Sequence, residues 1–183
     1  MWVFPGPSAN RAVRYDPPGP DALQVQPFAG EPGCGSFVPT PNLLQVTATR
    51  NNQPAQICSL AFRVGVEGGP LPSPLDNYAV DPGEKVSFGI GNAPSVTGKK
   101  IRTANLKLES NTFTIVQFTA YDGATQIGSR TAPLQSLTAQ GIGDLANNYA
   151  LNVDFGRAFT RLDITVLSGG HALLVTRQPL LLL

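Results

Sequence analysis

Residues able to do chemistry are few in this chain, and they are scattered. His171 is the single histidine and directly follows the Gly169-Gly170 turn. A Ser-His-Asp relay needs a nucleophile and an orienting acid beside it, and no G-x-S-x-G elbow is present, so we read His171 as a surface turn residue. One histidine also falls short of the ligand count of a histidine-based metal centre. Oxygen ligands are more plentiful: Asp76, Asn77, Asp81 and Glu84 gather near one turn, and Asp144, Asn147 and Asn148 near another. Neither group has the spacing of an EF-hand loop, and Asp and Asn are ordinary turn formers. Gly98-Lys99-Lys100 looks superficially like a phosphate loop, but Lys100 stands where Ser or Thr is required and a strand follows in place of a helix. Glu67, Glu84, Glu109, Asp154 and Asp163 give no sign of the facing pair that glycoside hydrolysis needs. The expectation is a protein that is not an enzyme, with no catalytic residue, cofactor or metal.

The elements that must position any site read as strands. In residues 101–132, Ala104, Leu106 and Leu108 alternate with Asn105, Lys107 and Glu109, the period of a strand with one face on a core. Asp122-Gly123 then separates the run Phe113 to Tyr121 from Thr125 to Thr131, and a pair of that type suits the positive φ angles of a tight hairpin turn. Leu44, Val46 and Ala48 alternate before Asn51-Asn52. Leu60, Phe62, Val64 and Val66 read as one further strand, and Val86, Phe88 and Ile90 face away from Lys85, Ser87 and Gly89. Tyr149 to Phe155, Leu162 to Val166 and Leu173 to Thr176 complete the set, with 133–148 as a long connection and Asp81-Pro82-Gly83 as a turn. About eight strands with turn signals near every ten residues predict an all-β fold, an antiparallel, jelly-roll-like β-sandwich with a Pro-rich extended N-terminal arm.

Composition supports one domain with flanking segments. The chain has 183 residues, 19 glycines and 17 prolines, and 13 Lys+Arg against 12 Asp+Glu leave a net charge of +1. So small a charge disfavours nucleic acid and anionic membranes as partners. No apolar stretch approaches the roughly 20 residues that span a bilayer. Met1-Trp2-Val3-Phe4-Pro5 has no basic lead into an apolar run, so a signal peptide is not expected here, unless one was removed before the numbering begins. Residues 1–41 form a Pro/Gly-rich arm that cannot build a continuous ladder, residues 42–177 the sandwich, and residues 178–183 an apolar tail. The arm is unusually oily, with Trp2, Phe4, Tyr15 and Phe28 among its apolar groups, and the tail ends in Leu180, Leu181, Leu182 and Leu183. Side chains of this kind are expected to be docked on a surface, the chain's own or a neighbour's. Cys34 and Cys58 are the only cysteines. Joined, they would close a loop of about 25 residues, worth on the order of 3 kcal/mol in the chain-entropy picture; left reduced, Cys58 would be a small core residue.

The runs GEKVSFGIGN, KIRTANLKLE, VQFTAYDGATQIGS and NVDFGRAFTRLDITVLSG, with a core Phe before the penultimate strand, resemble the jelly-roll-like sandwich modules of bacterial secreted proteins and phage structural proteins. The similarity runs from about residue 78 to residue 177 and is structural, so it brings no functional residue with it. The Pro-rich arm is similar to those of phage decoration or cement proteins, which bind an assembled shell with a small β domain and extended arms. The resemblance implies a structural protein of the virion that associates with a protein shell or with other copies of itself as a homo-oligomer. Its contact residues would be Trp2, Phe4, Tyr15, Phe28 and Leu180 to Leu183. The alternative is a carbohydrate-binding or adhesive module of an exported, extracellular protein, with a Cys34-Cys58 disulfide and with Tyr78, Tyr121 and Tyr149 as aromatic platforms.

Overall fold

The computed structural model describes residues 23–25, 33–34, 44–60, 63–67, 79–110, 114–134, 147–170, 173–175 and 180–182. Fourteen strands run through these residues: β1 (Leu23–Val25), β2 (Gly33–Cys34), β3 (Leu44–Arg50), β4 (Gln53–Ala55), β5 (Ile57–Leu60), β6 (Arg63–Val66), β7 (Glu84–Ile90), β8 (Ile101–Ser110), β9 (Thr114–Asp122), β10 (Thr125–Leu134), β11 (Asn147–Val153), β12 (Arg161–Gly169), β13 (Leu173–Val175) and β14 (Leu180–Leu182). A 3-10 turn covers Pro94–Val96. The architecture is all-β, two sheets packed as a sandwich.

Turn chemistry explains how neighbouring strands meet. Asn51 and Asn52 both take positive φ, 49° and 63°, so the β3-β4 hairpin closes on a primed two-residue turn. Asn accepts that region more readily than most residues. Between β7 and the segment before it, Glu84 N–H donates to the Asp81 carbonyl at 2.9 Å. Pro82 fixes the second position of this turn and Gly83, at φ 87°, takes the third, the type II pattern. A Cβ on Gly83 would lie 2.8 Å from Asn51 Oδ1, so this turn and the β3-β4 turn are fitted against each other.

Two expectations from the sequence are corrected in detail. The β9-β10 hairpin exists, but Asp122 pairs with Thr125, so its two loop residues are Gly123 and Ala124. Only Gly123 has positive φ, 59°, which is the glycine-first form of the tight turn. Asp122 is left to ion-pair with Lys100 at 2.6 Å. Leu60 to Val66 is not one strand: Leu60 pairs with Arg63 and Ile57 with Val66, so the chain reverses between β5 and β6. Alternation continues through a reversal when both limbs are half-buried, and periodicity alone cannot locate the bend.

The first sheet follows the order β1-β14-β8-β13-β6-β5-β2, with β11 along the other side of β8; the second follows β10-β9-β12-β7-β3-β4. Strands from both terminal segments enter the first sheet, β1 pairing with β14 and β14 with β8. Between the sheets lies one apolar core. The second sheet contributes Val86, Phe88, Val116, Phe118, Ala120, Leu162, Ile164 and Val166, and the first contributes Val64, Val66, Ile101, Ala104, Leu108 and Val153. Large fully buried side chains such as Phe88, Phe118, Phe159 and Leu108 each stabilise the fold by about 1.5–3 kcal/mol. Phe159 joins the layers through reciprocal backbone hydrogen bonds with Ile101 of 2.7 and 2.9 Å, and Phe155 packs edge-on against it at 5.9 Å. Phe155 also lies against Gly128, where β10 is bulged: a Cβ there would be 2.6 Å from the ring.

Candidate functional site

Alternation sends every second residue of the second sheet away from the core, and the strand register lines these residues up in three rows. Thr47, Ser87, Asp163, Thr119 and Ser129 form the middle row across β3, β7, β12, β9 and β10. Thr49, Lys85, Thr165, Gln117 and Thr131 form the row on one side, and Gln45, Gly89, Arg161 and Tyr121 the row on the other. All three consist of hydroxyl, amide, charged and phenol side chains with one glycine. A sandwich needs only one apolar face per sheet, so a polar outer face is expected. Ion pairing at its centre is not required by the fold.

That centre is Asp163, only 4% exposed although it stands on the outer face. Its Oδ1 lies 3.0 Å from Arg161 Nε and its Oδ2 lies 3.5 Å from Lys85 Nζ. The Arg161 contact is one of charge, since neither Oδ1 nor Nε has a hydrogen-bond partner. On its other side the Arg161 guanidinium lies over the Tyr121 ring, 4.1 Å from the centroid, where the ring quadrupole attracts it. Beside Asp163, the Thr119 and Ser129 hydroxyls are 3.2 Å apart. The start of β12 is fixed by Thr160. Its N–H donates to the Tyr121 carbonyl at 2.8 Å, its hydroxyl accepts from Gly123 N–H at 2.8 Å, and its carbonyl accepts from Ile90 N–H at 3.1 Å. Arg161 therefore leaves a backbone point held from both neighbouring strands.

No protein-family model, curated protein or solved structure matches this chain. What the face does must then be read from its own chemistry. Tyr121, one of the three tyrosines the sequence offers as platforms, is on the face, and one side of its ring carries the Arg161 guanidinium. Tyr149 is placed by its backbone in β11 of the other sheet, and Tyr78 lies outside the described residues. So do His171, Asp76, Asn77, Asp144, Trp2, Phe4, Tyr15, Phe28 and Leu183. Leu180, Leu181 and Leu182 are placed by their backbone as β14. Cys58 is disulfide-bonded; the chain's other cysteine, Cys34, stands opposite it where β2 pairs with β5. Among the described residues no three of His, Cys, Asp and Glu gather as a metal-holding group.

The remaining carboxylates fall into separate structural settings. Glu84, buried at the rim of the core, accepts from Arg50 Nε at 2.8 Å and Nη2 at 2.6 Å on Oε1, and from Asp81 N–H at 2.9 Å on Oε2. Burial pushes its carboxyl above the ordinary 4.5, while the Asp81 N–H and Arg50 pull the other way. Arg50 Nη2 donates onward to the Glu67 carbonyl at the end of β6, so this group laces the two sheets together. Asp154 accepts from Arg102 at 2.9 Å and from Gly156 N–H at 2.6 Å, as a loop former would. Arg161 is the residue that reading by motif passes over. Its signal is the alternation Arg161, Asp163, Thr165 against Leu162, Ile164, Val166, which puts opposite charges two residues apart on one strand face.

Proposed function

We propose that the protein is a non-enzymatic binding module of an exported protein, a jelly-roll-like sandwich that holds a carbohydrate chain across the outer face of its six-stranded sheet. The observation that carries this is the register of three polar rows around the Asp163, Arg161 and Tyr121 group. The middle row is buried at Ser87, Asp163 and Thr119, so the two flanking rows, half-buried to exposed, are the ones whose hydroxyl, amide and charged side chains offer donors and acceptors to a polyhydroxylated ligand. A row that crosses five strands also suits an extended chain better than a compact molecule. The disulfide at Cys58 fits an oxidising compartment. The test is an oligosaccharide array probed with the full chain and with Tyr121→Ala. Binding that weakens roughly tenfold, about 1.4 kcal/mol, in a variant of unchanged melting temperature supports the proposal. An array without a hit, or binding indifferent to Tyr121→Ala, sinks it.

A second reading, a decoration or cement protein of a phage shell, is supported by a different observation. The terminal segments pair with each other, β1 on β14, and among the described residues β1 has no other strand neighbour. A short edge strand carried on a Pro-rich segment is suited to exchange between copies. Here the full chain should be oligomeric in light scattering, and Trp2→Ser with Phe4→Ser should shift it to monomer. A wild-type monomer at high concentration removes this reading.

A further inference from the structure

Arg161 is held on two sides, by Asp163 and by the Tyr121 ring. A guanidinium carries five N–H donors in a planar fork. Nε is turned toward the buried Asp163, 3.0 Å away, and the ring of Tyr121 lies under the plane. Both contacts restrain the group, and neither uses the terminal Nη edge. Among the described residues nothing accepts a hydrogen bond from that edge, and the side chain is 43% exposed. Side-chain entropy that an ordinary surface arginine loses on binding has here been given up already in folding. Beside it in the same row stands Gly89, which leaves a notch between Gln45 and Arg161. A Cβ at Gly89 would meet the Gln45 and Thr160 carbonyls at 3.7 and 3.8 Å and the Gln45 Cβ at 4.0 Å, ordinary contacts, so the fold does not require a glycine there.

Charge sets the ligand. Lys85 and Arg161 share one carboxylate, Asp163, so the group keeps one net positive charge. The restrained, unused donor edge of Arg161 matches a planar pair of anionic oxygens bidentately. We propose that the face binds an acidic glycan, with Arg161 gripping the carboxylate of a uronic acid residue whose ring edge enters the notch at Gly89. This rests on the carbohydrate reading above and narrows it to one class of sugar.

The experiment is calorimetry of the full chain with oligogalacturonate, with the same oligomer methyl-esterified, and with polyglutamate of similar length. The free acid should bind at least about tenfold more tightly than the ester. Arg161→Gln should lose that preference and Gly89→Thr should weaken binding without altering charge. Arg130→Gln, which removes an equal charge from exposed Arg130 on β10, should change nothing. Equal affinity for acid and ester, or silence toward both oligomers, overturns this inference, and the carbohydrate reading falls with it only where the oligosaccharide array is also without a hit. Polyglutamate bound as tightly as oligogalacturonate, or Arg130→Gln as damaging as Arg161→Gln, would show attraction for any polyanion and also overturn it.

Discussion

Two charged groups lie on opposite faces of the same sheet, and they are put together differently. At the rim of the core, Arg50 and Glu84 occupy core-facing positions of β3 and β7, and both Glu84 oxygens accept hydrogen bonds. On the outer face, Arg161, Lys85 and Asp163 touch as charges, and Asp163 Oδ1 accepts none. The rim group has spent its capacity inside the protein, on a neighbouring strand, on the backbone of a turn and on the carbonyl of Glu67 in the facing sheet. The outer group keeps donors in reserve. Hydrogen-bond saturation thus separates the two groups better than burial does, since Glu84 and Asp163 are almost equally hidden.

The sharpest way to break this comparison is to remove Glu84. Glu84→Ala strips the Asp81 N–H of its acceptor and leaves Arg50 at the mouth of the core. Breaking a fully buried pair costs about 3–5 kcal/mol. Because the Arg50 side chain is 34% exposed, we expect about 2–3 kcal/mol, or a melting temperature lower by about 4–12 °C for a chain of this size. Equal loss from Asp163→Ala would erase the distinction between the two groups.

Glu84→Gln sharpens it, because it keeps the shape and removes the titration. A carboxyl whose folded pKa is raised adds stability that is complete below its unfolded value, near 4.5, and is lost as pH climbs through the higher folded value. Wild type should therefore lose stability relative to Glu84→Gln as the pH rises from about 4 toward 7. Chemical denaturation of both proteins across that range checks it, and parallel curves would show that Arg50 cancels the cost of burial.

The strand pattern made most of this fold legible, for a physical reason: a sandwich core demands period-two alternation, and Val86-Phe88 or Leu162-Ile164-Val166 announce it directly. The same pattern displayed the outer face, since Lys85, Ser87 and Gly89 are simply the residues left over. What it did not contain was register. That Asp163 meets Ser87 and Thr119, or that Arg161 meets Tyr121, depends on which strands become neighbours, and β9, β12 and β7 are far apart in the chain. The reversal between β5 and β6 was hidden because both limbs alternate, and the turn at Gly123-Ala124 because Asp-Gly is a turn signal whether Asp122 lies inside the loop or ends the strand.

Within the outer group, Asp163→Asn comes next in size. It leaves Lys85 and Arg161 facing each other without the charge between them, but both cations are partly in water and can turn toward it. We expect about 0.5–1 kcal/mol in urea denaturation. A loss above about 2 kcal/mol would mark Asp163 as part of what holds the sheet.

Arg161→Gln should have the smallest effect on stability of all, below about 0.5 kcal/mol, although it removes the side chain that covers a carboxylate. The reason is that uncovering Asp163 also readmits water to it, so the charge exchanges one partner for solvation and retains Lys85 at 3.5 Å. Lost with the guanidinium are its stacking on Tyr121, about 0.5–1 kcal/mol at an exposed site, and the entropy that restraint had cost, and these oppose each other. A residue that is tightly held yet nearly neutral for folding fits the binding role proposed above. Unfolding curves for wild type and Arg161→Gln that superimpose, alongside the loss of acid-selective binding, would separate that role from the fold, whereas a large drop in stability would place Arg161 with Arg50 as a structural cation.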